Sequence, residues 1–129
     1  MAVQDEYRAK AKEALDKLQT QIDELRVQAD LAQAEVRDRL EKAVDALRDQ
    51  RRQAQARLDD AGKAGAGAWK SAAGQVEEAV DGLGDTFSKL ADEVQVAVGA
   101  GGSAAKKSYT AFLDEWKKAR AERKVLLDK

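Results

Sequence analysis

Along the first half of the chain, apolar side chains recur every eleven residues. Leu25, Val36, Leu47 and Leu58 form one row, which Ala14 extends backwards. Leu18, Ala29 and Leu40 form a second row with the same spacing, until Arg51 takes the apolar place. Arginine follows three members of the first row, as Leu25-Arg26, Val36-Arg37 and Leu47-Arg48. Eleven residues make three helical turns at about 3.67 residues per turn, so such a stripe stays on one face of a nearly straight helix. Residues 3–60 contain neither Gly nor Pro. The pattern therefore predicts one helix over 3–60, roughly 87 Å long at 1.5 Å per residue.

Beyond residue 60 the period changes. Trp69, Val76, Leu83, Leu90 and Ala97 are seven apart, as are Ala73, Val80, Phe87 and Val94, which gives a two-row heptad seam and predicts a second helix over 68–98. Gly82 and Gly84 fall inside it and weaken it. Between the two periods, Gly62, Gly65 and Gly67 predict a turn over 61–67. Trp69 would plug this turn, clamping the first turn of the returning helix against the end of the long one. "GAGGS" at 99–103 is a second hinge with Ser103 as N-cap, followed by a helix over 104–127. That last helix carries Tyr109, Phe112 and Trp116 on one face, and Arg120 and Arg123 fall into the face beyond Trp116 and end the stripe.

These elements predict an all-α protein with a single elongated domain over 1–129. If 99–103 is a kink, the chain is one long antiparallel hairpin, or coiled coil. If it is a full reversal, a three-helix bundle covers one half of the long helix and leaves the other half bare. Leu25, Val36, Leu47 and Leu58 would face Val76, Val80, Leu83, Phe87, Leu90 and Val94 across the helical seam. Either arrangement exposes apolar edges, which predicts a homo-oligomer.

Composition narrows the chemistry. Alanine is abundant and proline absent, which favours helix throughout. With no Cys and no His, a disulfide framework, a thiol nucleophile and an imidazole base are all excluded. The net charge of −1 offers no case for nucleic-acid binding. The start of the chain is polar and no run approaches the length of a membrane span, so the expected location is the cytoplasm, or the periphery of a membrane or granule. Glu77, Glu78 and Asp81 can share a helix face, but without a closed ligand loop they read as a solvated acidic face rather than a cation site. No catalytic, cofactor-binding or metal-ligating residue is nominated, and the expected protein is not an enzyme.

Charge is uneven along the chain, acidic over 61–102 and basic at the C-terminal end, where the last helix has an excess of four positive charges. Lys106, Lys107, Lys117, Lys118 and Arg120 accompany Tyr109, Phe112 and Trp116 there. This composition suits an interfacial helix on an anionic lipid or a protein partner, and equally a third helix docked on the bundle with its lysines in water. The eleven-residue stripe has the same two uses, in a buried seam or against a lipid surface.

The opening "DEYRAKAKEALDKLQTQIDELRVQAD", the charged continuation to Asp60 and "GAWKSAAGQVEEA" resemble small bacterial coiled-coil proteins of a stress-response family. The likeness covers roughly residues 4–98 and is most specific at Gly67-Ala68-Trp69. It implies a stress-linked, non-enzymatic coiled-coil protein. The 99–103 hinge and the basic aromatic tail depart from that pattern. "VRDRLEKAVDALRDQRRQAQARL" also resembles the eleven-residue repeats of exchangeable apolipoproteins and late-embryogenesis-abundant proteins, without the apolipoprotein prolines. The functional expectation is a self-associating protein that presents amphipathic helical faces. The alternatives are a phasin-like coat at a lipid or granule surface, and a scaffold that docks one enzyme.

Overall fold

The computed structural model describes residues 3–65, 67–98 and 103–128, with side chains from Lys107 onward in the last stretch. Its regular elements are four helices, α1 (Val3–Ala29), α2 (Ala34–Lys63), α3 (Trp69–Val98) and α4 (Ser103–Asp128). Each runs antiparallel to the one before it. Arg26 of α1 reaches Asp45 of α2 while Arg48 of α2 reaches back to Asp23 of α1, Arg39 of α2 pairs with Glu93 of α3, and Phe87 and Glu77 of α3 meet Phe112 and Arg123 of α4. The result is an up-down-up-down four-helix bundle. Its cross-section is a rhombus: α1 touches the other three helices, whereas α2 and α4 do not meet among the described residues. On the α1–α3 diagonal, the Tyr7 hydroxyl of α1 donates to the backbone carbonyl of the buried Ala73 on α3.

The single helix expected over 3–60 is therefore corrected to two. The break falls at Asp30–Gln33, where there is neither Gly nor Pro. The end of α1 tightens into three-residue turns, with the Leu31 amide donating to Gln28 and the Ala32 amide to Ala29 at 3.0 and 3.1 Å. Gln33 is extended (φ −61°, ψ 148°), and its carbonyl accepts from Val36 and Arg37 to start α2. Tertiary burial outweighs local helix continuity here. Breaking the helix forfeits about four backbone hydrogen bonds, worth about 1 kcal/mol each. Folding back buries Leu40, Val44, Leu47 and Leu58, at roughly 1.5–3 kcal/mol per side chain.

The expected long hairpin and the half-covered three-helix bundle are corrected by the same finding. The chain reverses fully between α3 and α4, and the half of the long helix that would have stayed bare is α2, which turns back as a fourth helix. The seam residues nonetheless all reach the core. Leu25, Leu47, Leu58, Val76, Val80, Leu83, Phe87, Leu90 and Val94 are buried, and Val36 beside the new turn is half-buried.

The glycine turn expected at 61–67 starts later. α2 continues through Gly62 to Lys63, Ala64 is extended, and the Ala68 and Trp69 amides both donate to the Gly65 carbonyl. A Cβ at Gly65 or Gly67 would meet nothing, so close approach is not their role; at Gly62 it would meet the Arg8 guanidinium. Ala66 and the 99–102 part of the expected hinge lie outside the described residues. Ser103 is the first residue of α4 rather than a cap preceding it.

Candidate functional site

The fourth helix is fastened by aromatic side chains and one buried charge. Tyr109, Phe112 and Trp116 all face inward and are buried. Phe87 of α3 meets Tyr109 and Phe112 edge-on at 5.8 and 5.4 Å between ring centres, and Phe112 leads on to Trp116 at 5.6 Å. The Trp116 indole lies directly on α3 at Gly84, where an added Cβ would stand 2.5 Å from its Nε1. Only a residue without a side chain lets the ring approach so closely.

Two turns beyond Trp116, Arg123 continues the same face into the bundle and is 0% exposed. Its Nε donates to Glu77 Oε1 at 2.6 Å, and its guanidinium stands 6.0 Å from the Trp116 ring centre. The Tyr7 hydroxyl of α1 reaches the same carboxylate oxygen at 2.8 Å, with the Ala73 carbonyl at 3.2 Å as a second acceptor. Three helices thus converge on one carboxylate. The two Nη atoms of Arg123 have no partner among the described residues. Burial, followed by the charge of Glu77, pushes the Tyr7 phenol far above its ordinary value, so it stays a protonated donor.

Next to this cluster, Arg120 Nε lies 3.0 Å from Asp81 Oδ1, within ion-pair distance but not aligned as a hydrogen bond. Burial raises the Asp81 carboxyl above its ordinary 3.8, and Arg120 opposes that shift. Glu77 is committed to Arg123 and Tyr7, Asp81 faces Arg120, and Glu78 is exposed. Among the described residues, no group of acidic side chains is placed to hold a metal ion. Chemically, the cluster is a polar pin. It positions α4 on α1 and α3, with its phenol, carboxylate and guanidinium engaged on one another.

The other nominated positions spread out. Lys107, Lys117, Lys118 and Arg120 are exposed, Arg120 toward Asp81 of α3 and Lys118 beside α1, and the Lys106 side chain lies outside the described residues. Trp69, the expected plug of the turn, is half-buried, and its ring stands 6.4 Å from that of Tyr7 near the start of α1. Beside the pin, a groove of about 200 Å³ runs between α1 and α4 over Phe112, Trp116 and Ala14, with Lys10 and Glu122 bridging it at 3.3 Å.

Sequence reasoning missed Tyr7, Glu77, Arg123 and Gly84. A signal existed for Arg123, which stands seven residues after Trp116, with Leu126 fourteen after Phe112. The heptad carries on with an arginine in a core position and does not end at Trp116. Nothing local distinguishes Glu77 from its exposed neighbour Glu78.

Comparison with protein-family models, with curated proteins and with solved structures finds no match. Among the described residues, no helix is long and apolar enough to cross a membrane.

Proposed function

We propose that this is a non-enzymatic, self-associating helical protein of the cytoplasm that acts through its amphipathic helices, shielding or organising the surfaces they meet. The observation that carries this reading is how the apolar rows are used. The stripe of α1, from Tyr7 through Leu15, Leu18, Ile22 and Leu25, is fully covered by the other three helices, while the outer faces carry interleaved charges of both signs. Such a bundle stores a continuous apolar surface that becomes available when a helix changes partners. The internally paired Tyr7–Glu77–Arg123 cluster supports a positioning role in place of a reactive one. The link to stress rests on the resemblance of residues 4–98 alone.

The inward packing of Tyr109, Phe112 and Trp116 weighs against a lipid anchor, because those rings would have to leave Phe87 and Gly84 to enter a headgroup region. Sedimentation from micromolar to millimolar concentration tests self-association; a monomer throughout overturns it. Flotation with phosphatidylserine-containing vesicles at low salt tests the lipid reading. Binding that blue-shifts Trp116 emission would replace the present proposal with an interfacial one.

A further inference from the structure

We propose that the turn at Asp30–Gln33 is a hinge that opens into one continuous helix from Val3 to Lys63, so that two copies of the chain exchange α1 and form a dimer. The inference rests on the self-association reading above and names its mode. Four observations converge on it.

The hinge contains nothing that forbids a helix. Asp30, Leu31, Ala32 and Gln33 are all helix-compatible, and Gln33 makes no side-chain cap on α2. By contrast, the α2–α3 connection holds Gly65 and Gly67, which disfavour continuation. The bent form also leaves large aliphatic side chains in water, with Leu31 66% and Val27 61% exposed.

The apolar rows run through the turn in register. Leu25 to Val36 and Ala29 to Leu40 each span it with the eleven-residue step intact. A straightened helix therefore keeps a single stripe, whereas a turn built only for reversal has no reason to preserve that phase.

The α1–α2 interface is reciprocal. Asp23-Glu24-Leu25-Arg26 and Asp45-Ala46-Leu47-Arg48 follow one pattern two repeats apart. Across the hairpin Arg26 reaches Asp45 at 3.3 Å and Arg48 reaches Asp23 at 3.1 Å. Two continuous helices lying antiparallel would form these pairs between chains, twice each, about a two-fold axis near residues 35–36. Closed two-fold pairing of this kind is the commonest form of self-association.

Finally, every interhelical contact of α1 is with α2, α3 or α4, so an α1 supplied by a second copy restores all of them, Tyr7 on Glu77 included. The burial that bends the single chain is equally satisfied between chains, and the exchanged form regains the backbone hydrogen bonds lost at the hinge. What opposes exchange is the entropy of association, which makes it depend on concentration. The dimer would hold two antiparallel rods, each roughly 90 Å long.

The absence of cysteine makes the test direct. Spin labels are placed at the exposed positions Thr20→Cys and Gln53→Cys, and the labelled chain is unfolded with excess unlabelled chain, refolded at high concentration and separated by size. In the monomer the intrachain distance is short, across the hairpin. In the dimer it is expected near 50 Å, the length of thirty-three residues of helix. Gln33→Pro suits the observed φ of −61° and obstructs a continuous helix, so it should lower the dimer association constant by roughly a hundredfold or more. Asp30→Ala with Gln33→Ala should raise it. A dimer whose intrachain distance stays short overturns the exchange while leaving self-association standing. An unchanged dimer in Gln33→Pro also overturns it, and no dimer at any concentration overturns both.

Discussion

The α1–α2 and α3–α4 hairpins solve the same problem, joining two antiparallel helices, with different chemistry. The first pairs aliphatic rows of period eleven and trims them with ion pairs at the surface, Arg26 with Asp30, Glu41 and Asp45, and Arg48 with Asp23. Near-copies of one short pattern face each other, so nothing in this interface depends on which chain supplies a helix. The second pairs a heptad seam with an aromatic ladder, a ring seated on Gly84, and an arginine buried against Glu77. Each of those features fits one register and one partner. Repetition leaves an interface exchangeable, whereas a buried charge and a close ring-to-backbone contact give it an address.

The largest expected effect strikes the addressed half. Glu77→Ala strands a guanidinium with no exposure and should cost about 3–5 kcal/mol in chemical denaturation. The double variant Glu77→Leu with Arg123→Met removes both charges and should recover most of that loss. If the single change proves as mild as a surface substitution, α4 is not held by the pin and the contrast between the hairpins fails.

The two glycines within α3 provide a sharper probe. Gly84→Ala drives a methyl into the Trp116 indole and should destabilise by about 1–3 kcal/mol. Two residues away, Gly82→Ala meets only the Gln50 amide at 3.4 Å. There the gain in helix propensity, up to about 1 kcal/mol, should show through and raise the melting temperature. Opposite signs at positions two residues apart in one helix are the expected result.

Smaller effects belong to the exchangeable half. Arg48→Ala should cost under about 1 kcal/mol, and the loss should shrink as salt is added, since the pair with Asp23 is at the surface. The smallest effect concerns pH. Because folding raises the Asp81 carboxyl above 3.8, the native state holds its proton more tightly than the unfolded chain. Its contribution to stability is fully present below that value and is lost as pH rises through the folded pKa. In Asp81→Asn, stability plotted against pH should lose that downward component just above pH 3.8.

Much of this was legible in the sequence. Both periodicities placed their rows in the core, because a stripe that stays on one face of a helix is buried whatever covers it. The inward orientation of Tyr109, Phe112 and Trp116 was one of two readings, and the docked one is what the structure shows. The hinge at Asp30–Gln33 left no compositional trace, since a turn produced by tertiary burial needs no glycine or proline. The pin was hidden for a related reason. Glu77 sits on its own helix as an ordinary charged residue, and only the approach of α1 and α4 removes water from it.

The sequence by itself determined that this protein is helical and which residues of each helix are apolar, because both follow from propensity and period within a dozen residues. Tertiary structure decided how many helices there are and which faces meet. The eleven-residue rows suit a straight rod and a folded hairpin equally well. Choosing between them depends on what is available to cover Leu40, Val44, Leu47 and Leu58, and no local pattern of side chains encodes that.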